Sequence, residues 1–193
     1  MRALAFLALL MAALPAAPAW AASGNSATAT GMASATIVKP IAVATTADLD
    51  FGTVASTGTG LVDILPINAA ALYSGGAHDA CDSAACAAAP TATHAASFTV
   101  SGEAGRSYTI TAPQSLSIVP VPAASDARIS AMPPALLVDA ITIRSASRPD
   151  SGATGQLDAA GQDTFALGGR LIVPADLPPA RIVARITVIV AYA

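Results

Sequence analysis

From Ile182 to Tyr192, apolar residues fall at every second position: Ile182, Ala184, Ile186, Val188, Val190 and Tyr192, with Val183 and Ile189 softening the contrast. A period of two suits a β-strand with one covered face, because successive side chains of a strand point to opposite sides. Short runs of the same character recur along the chain, at residues 49–54, 61–67, 96–102, 107–111, 116–119, 136–143 and 164–173. Residues 36–43 form another β-branched run, in which Pro40 implies an edge or bulged strand. Gly58 and Gly60 mark a turn between two of these runs. The turn from Glu103 to Arg106 makes residues 96–102 and 107–111 read as a hairpin. Helical periodicity is almost absent. About eight to ten short strands separated by turns predict an all-β fold, an antiparallel β-sandwich.

The rhythm breaks over residues 68–95, which hold Gly75-Gly76, a run of alanines and the two cysteines, Cys81 and Cys86. This stretch reads as one long loop insertion, with a helical turn expected near Ala84–Ala89 because alanine favours helix. In an oxidising compartment two thiols this close are expected to pair, making the loop disulfide-tied. So short a closed loop contributes only about 2 kcal/mol in the chain-entropy model. His78, Asp79 and Asp82 lie nearby, but a single cysteine couple at this spacing is a poor zinc signature. No metal site is therefore expected.

An export signal accounts for the oxidising compartment. Met1-Arg2 is a minimal positive start, residues 3–14 are uncharged and apolar, and Pro15 and Pro18 end the run. Ala19-Trp20-Ala21 then supplies small residues for cleavage after Ala21, the pattern of a secretory signal peptide over residues 1–21. A dozen apolar residues are too few to span a bilayer core of roughly 30 Å. No membrane span is expected after cleavage. Residues 22–33 read as a flexible leader and residues 34–193 as the β-sandwich domain. The expected location is the periplasm, the outer cell surface or the medium.

Setting Arg2 aside leaves eight basic side chains against twelve acidic ones, scattered without a basic stripe. Nucleic acid is an unpromising partner for such a surface. Charged residues make up 11% of the chain and aromatic residues 4%, and the single tryptophan lies inside the signal. A surface so poor in charge suits a packed structural subunit, and it suits an ordinary exported domain as well. The scarcity of aromatic rings argues against a carbohydrate-binding role.

Motifs for catalysis are missing. GxSxG, P-loop, GxGxxG and HExxH patterns do not occur. His78 and His94 have no nucleophile marked beside them and are expected to be exposed. Asp48 and Asp50 would share one face of a strand, a weak hint of Ca²⁺, and read better as solvated turn residues. No catalytic residue, cofactor or enzymatic activity is expected.

Several of these residues also follow the order of a known family. Leu49-x-Phe51-Gly52, then Phe98-x-Val100-x-Gly102 with Tyr108-Thr109-Ile110, begin the series. Gly155-x-Leu157 with Ala160-Gly161, Gly168-Gly169-x-Leu171-x-Val173 and Val188-x-Val190-x-Tyr192 complete it. Over residues 35–193 the chain resembles the bacterial domain-of-unknown-function family 4402. That resemblance implies an exported, immunoglobulin-like β-sandwich of no established activity. The cysteine loop and Pro178-Pro179-Ala180, where a glycine-rich turn would be usual, depart from the pattern.

The chain end carries a functional hint. Chaperone–usher pilins also end in an alternating apolar strand with a penultimate tyrosine, the place of Tyr192 here. Such a strand lets a chaperone or neighbouring subunit add a strand to the sheet. Ile186, Val188, Val190 and Tyr192 are thus the candidate assembly strand. The leader offers little beyond methyl groups to donate, and position 180 is Ala where pilins carry glycine. The expected function is a structural or surface-assembly subunit, pilin-like or adhesin-like, whose partners are its own copies or a periplasmic chaperone. The alternative is a stand-alone periplasmic or secreted binding domain that uses the 68–95 loop.

Overall fold

The computed structural model describes residues 29–67, 70–82, 93–122 and 135–193. The expected signal, most of the leader, Cys86 and the turn expected near Ala84–Ala89 lie outside these residues. Residues 29–36 belong to a separate N-terminal unit and are exposed, without secondary structure. The unit from Ile37 to Ala193 holds all the described strands.

Its elements in chain order are β1 (Ala42–Ala47), β2 (Leu49–Ile64), β3 (Leu72–Asp79), a 3-10 turn (Ala80–Asp82), β4 (Ala96–Ser101) and β5 (Ser107–Thr111). There follow β6 (Leu116–Ile118), β7 (Val121–Pro122), β8 (Leu136–Ser145), β9 (Thr154–Gln156), β10 (Gln162–Val173), β11 (Ala180–Ala184) and β12 (Ile189–Tyr192). The fold is all-β, with antiparallel pairing throughout. Twelve strands among the described residues exceed the eight to ten expected, mainly because β7 and β9 are too short to show periodicity.

Nine strands form one sheet, in which β1, β4, β10, β2, β11 and β7 follow each other, β3 joins β2, and β6 joins β10 through β8. The other three form a second sheet in the order β12, β5, β9. The long β10 organises the larger sheet. One edge of it pairs with β8; the other pairs first with β4 and then, from Gly169, with β2. Phe165 and Phe98 are cross-strand partners whose rings stack at 4.8 Å.

Three sequence expectations are corrected. Residues 96–102 and 107–111 do not make a hairpin: β4 pairs with β1 and β10, whereas β5 pairs with β12 and β9 in the other sheet. The short link between them carries the chain from sheet to sheet. Gly58 and Gly60 do not end a strand, because β2 runs through them with a bulge against β3 between Ser56 and Gly60. Residues 68–95 are not a continuous loop, since β3 pairs with β2. Its Ser74-Gly75-Gly76 centre gives little apolar alternation, and pairing with a long neighbour supplies what its own side chains do not.

One cluster of buried side chains draws on both sheets: Leu49, Phe51, Val62, Phe98, Phe165 and Leu171 from the larger, Tyr108 and Ile110 from the smaller. Leu49 to Ser56 are all buried, so both faces of that half of β2 are covered. The alternation of residues 49–54 therefore does not mark a half-exposed strand. Polar atoms there find partners: the Ser56 hydroxyl donates to the Pro174 carbonyl at 2.5 Å and accepts from the Leu177 amide at 3.0 Å.

Candidate functional site

The alternation from Ile182 to Tyr192 survives in space, although one strand does not carry it. Ile182 and Ala184 are buried, and Ile186, Val188, Val190 and Tyr192 pack half-buried against the core. The first two lie on β11, which pairs with β2 in the larger sheet. Residues 185–188 have no strand assignment, and β12 pairs with β5 in the smaller sheet. Period-two burial continues through this crossing because the same core lies beneath both halves.

β12 matches Ile189 to Thr111, Val190 to Ile110, Ala191 to Thr109 and Tyr192 to Tyr108. Beyond the last pair the Ala193 amide donates to the Ser107 carbonyl at 3.0 Å. Along its other side β12 has no strand partner among the described residues. Ile189, at the start of that edge, is 66% exposed.

Tyr192 closes a clasp at the far end. Its hydroxyl donates to the Lys39 carbonyl at 2.7 Å and accepts from the Glu103 amide at 2.7 Å. The Arg106 guanidinium sits 5.1 Å from the ring centroid, within cation–π range. A side-chain carbon at Gly102 would collide with the Tyr192 hydroxyl. The neighbouring Tyr108 is fully buried and its hydroxyl donates to Asp163 Oδ2 at 2.8 Å. Burial first, then the Asp163 bond and charge, push the Tyr108 phenol well above its ordinary range. Gly155, opposite Tyr108 in the β5–β9 register, leaves room for that ring. Two motif glycines therefore each make space for a tyrosine. Position alone marks Tyr192 in the sequence, whereas nothing there signals Lys39, Glu103 or Arg106 as its neighbours, since those contacts join three separate segments.

Asp50 is not the solvated turn residue expected. It lies on β2 at 4% exposure, accepts from the Gly52 amide at 2.8 Å and pairs with Arg181 Nη2 at 2.7 Å. Asp48 faces Arg185 instead, at 3.6 Å and largely in solvent. Each carboxylate thus meets a guanidinium from the chain's last fifth, an arrangement for ion pairing more than for holding Ca²⁺. His78 is exposed, but His94 is half-buried, and its backbone forms a two-way bridge with Asp50 at 3.0 Å. Among the described residues no three metal-capable side chains gather. Cys81 lies on the 3-10 turn, its amide donating to Asp79 Oδ1 at 2.9 Å, and is not a free thiol.

The larger sheet also carries an apolar row on its solvent side, in which Leu61, Ile172 and Leu137 are neighbours across β2, β10 and β8. They line a groove of ≈ 500 Å³ together with Thr59, Ser74 and Pro174. No described helix is long and apolar enough to cross a membrane.

No curated protein and no solved structure matches this chain. A family model described as a domain of unknown function, DUF4402, matches residues 41–192. The matched span opens just before β1 and closes on Tyr192, so it takes in both sheets and all of the clasp but Lys39. The chain belongs to the DUF4402 family.

Proposed function

We propose that this protein is an exported, non-enzymatic structural or surface-assembly subunit, pilin-like or adhesin-like, that joins partners by strand addition at the edge of β12. One observation carries the reading. β12 uses one side to pair with β5, has no described strand on the other, and leaves Ile189 exposed there. An unpaired edge is a row of amides and carbonyls ready to template another strand. The partners are further copies of the chain or a periplasmic chaperone.

The apolar stretch and cleavage pattern of residues 1–21 support export to the periplasm, cell surface or medium. A core drawn from both sheets, with links at residues 102–106 and 185–188 crossing between them, supports an immunoglobulin-like sandwich. The exported setting and the bound state of Cys81 support a Cys81–Cys86 bridge.

The test is to export the full chain from its own signal, alone and with a pilus-type periplasmic chaperone, and to follow it by size-exclusion chromatography and electron microscopy. Polymers or a chaperone complex are expected, with Ile189→Lys losing either. A monomer that forms no polymer and ignores the chaperone would sink the reading.

A further inference from the structure

We propose that β1 is a second, homotypic edge, at which two copies of this chain pair β1 to β1 in antiparallel fashion about a twofold axis. This rests on the assembly reading above but uses a different sheet and a different strand. β1 pairs with β4 on one side and with no other described strand, and Ala42 to Thr46 are all exposed. Its sequence, AlaValAlaThrThrAla, has no charge and no proline.

The other open edges of the same sheet carry the features that discourage pairing. β7 is two residues long and ends in Pro122. β6 is three residues long, and Pro120 follows shortly after. β3 is interrupted at Gly75, which has φ +67°, opposite the bulge in β2. On β1 the ladder shifts only between Thr45 and Ala47, near its end. β1 is made of small and β-branched residues and, unlike the other edges, is six residues long with no proline or charge of its own, Pro40 standing outside it.

Symmetry limits the register to those centred on a residue, and Ala44 is the centre that pairs the whole run from Ala42 to Thr46. A twofold axis perpendicular to the sheet keeps each residue on its own face, so facing residues must be an even number apart or be the same residue. Centring the axis on Ala44 sets Ala44 against itself, Val43 against Thr45 and Ala42 against Thr46. Every pair is uncharged, and the Val43–Thr45 pairs bring together β-branched residues, which suit a pleated strand surface. Lys39, the sole lysine of the chain, precedes β1, and Asp48 follows it. Antiparallel pairing brings the Lys39 end of each copy to the Asp48 end of the other. The edge is therefore self-complementary in charge, with Asp48 still partly exposed beside Arg185.

The register supplies its own test. Because Ala44 faces itself, Ala44→Glu and Ala44→Lys each set like charges directly opposite, whereas a mixture of the two sets opposite charges together. The full exported chain and both variants are compared by sedimentation velocity over a range of concentrations. The inference expects a wild-type dimer, dissociation constants about tenfold or more weaker for each variant alone, and a restored dimer in the equimolar mixture. A wild-type monomer at about 100 μM, variants that dimerise like wild type, or a mixture that stays monomeric would each overturn it. Polymers or a chaperone complex lost only with Ile189→Lys, beside any of those results, would refute the β1 pairing and leave the β12 reading standing.

Discussion

The Tyr192 hydroxyl donates to the Lys39 carbonyl at 2.7 Å, joining the last strand of the chain to the segment that leads into the first. The same oxygen accepts from the Glu103 amide, so one side chain fixes three segments distant in sequence. The partners stand 153 and 89 residues from Tyr192, so no local turn can supply this tie. The entry to β1 and the free edge of β12 are consequently held at one end of the domain.

Tyr192→Phe keeps the ring and its contact with Arg106 but removes both hydrogen bonds. Two backbone groups lose a partner, and a loss of about 1–3 kcal/mol is expected. Urea unfolding monitored by circular dichroism measures it. Gly102→Ala, which forces a methyl against the same hydroxyl, is expected to cost less in the Tyr192→Phe background than in the wild type. Equal costs in both would mean that the clasp does not depend on this contact.

Much of the clasp's raw material is legible in the sequence, and its assembly is not. Tyr192 stands out because an alternating run ends on it, and Gly102 because Phe98-x-Val100-x-Gly102 is a recognisable strand end. Pairing in sheets is non-local, however, so nothing in the spacing of residues 96–111 tells a hairpin from a crossing between sheets. The link is short enough for either, and the choice lies with the partners β10 and β12, which arrive far later in the chain. β3 escapes periodicity for a related reason: its glycines hide the period, and its place is set by β2. Asp50 reads as a turn residue only because its cation, Arg181, lies 131 residues away.

The Asp50–Arg181 pair should respond unequally to loss of either partner. The Asp50 side chain is 6% exposed and that of Arg181 is 33% exposed. Arg181→Met leaves a carboxylate in a nearly dry site, whereas Asp50→Asn leaves a guanidinium that water can reach and keeps an oxygen for the Gly52 amide. Arg181→Met is expected to destabilise by about 2–4 kcal/mol and Asp50→Asn by less. Denaturant midpoints at neutral pH test the order; the reverse ranking would show that the buried charge is satisfied by other groups.

Tyr73 predicts a loss of stability in alkali. Burial, reinforced by the charge of Asp79, raises its phenol from 10.0 to about 12. Its hydroxyl is buried without a hydrogen-bond partner among the described residues. Above pH 10 the unfolded chain releases this proton while the folded one retains it, so stability present below pH 10 declines as pH climbs toward 12. Tyr108, raised in the same direction, adds to the decline. Tyr73→Phe should flatten part of that slope and be neutral or slightly stabilising at pH 7, since it deletes an unpartnered polar group. Unfolding measured from about pH 8 to about pH 12, with phenolate absorbance followed in parallel, checks both halves. A slope unchanged by Tyr73→Phe would assign the effect to other tyrosines.

Gly155 and Tyr108 provide a sharper test of the packing behind the family motif. Tyr108 is fully buried, and Asp163 Oδ2 holds its hydroxyl at 2.8 Å, so the ring cannot swing aside without losing that bond. A methyl at Gly155 would collide with the ring carbons as well as the hydroxyl. Gly155→Ala is therefore expected to cost about 1–3 kcal/mol by overpacking. Tyr108→Phe should not rescue it, because the ring carbon nearest the new methyl remains. Tyr108→Leu removes that carbon and carries a separate cost for the cavity it leaves. The Gly155→Ala/Tyr108→Leu double variant should then be less destabilised than the sum of its parts, by about 1 kcal/mol or more. Strict additivity in that cycle would mean that β9 shifts as a whole to admit the methyl, and that this glycine reports on backbone position and not on the tyrosine beside it.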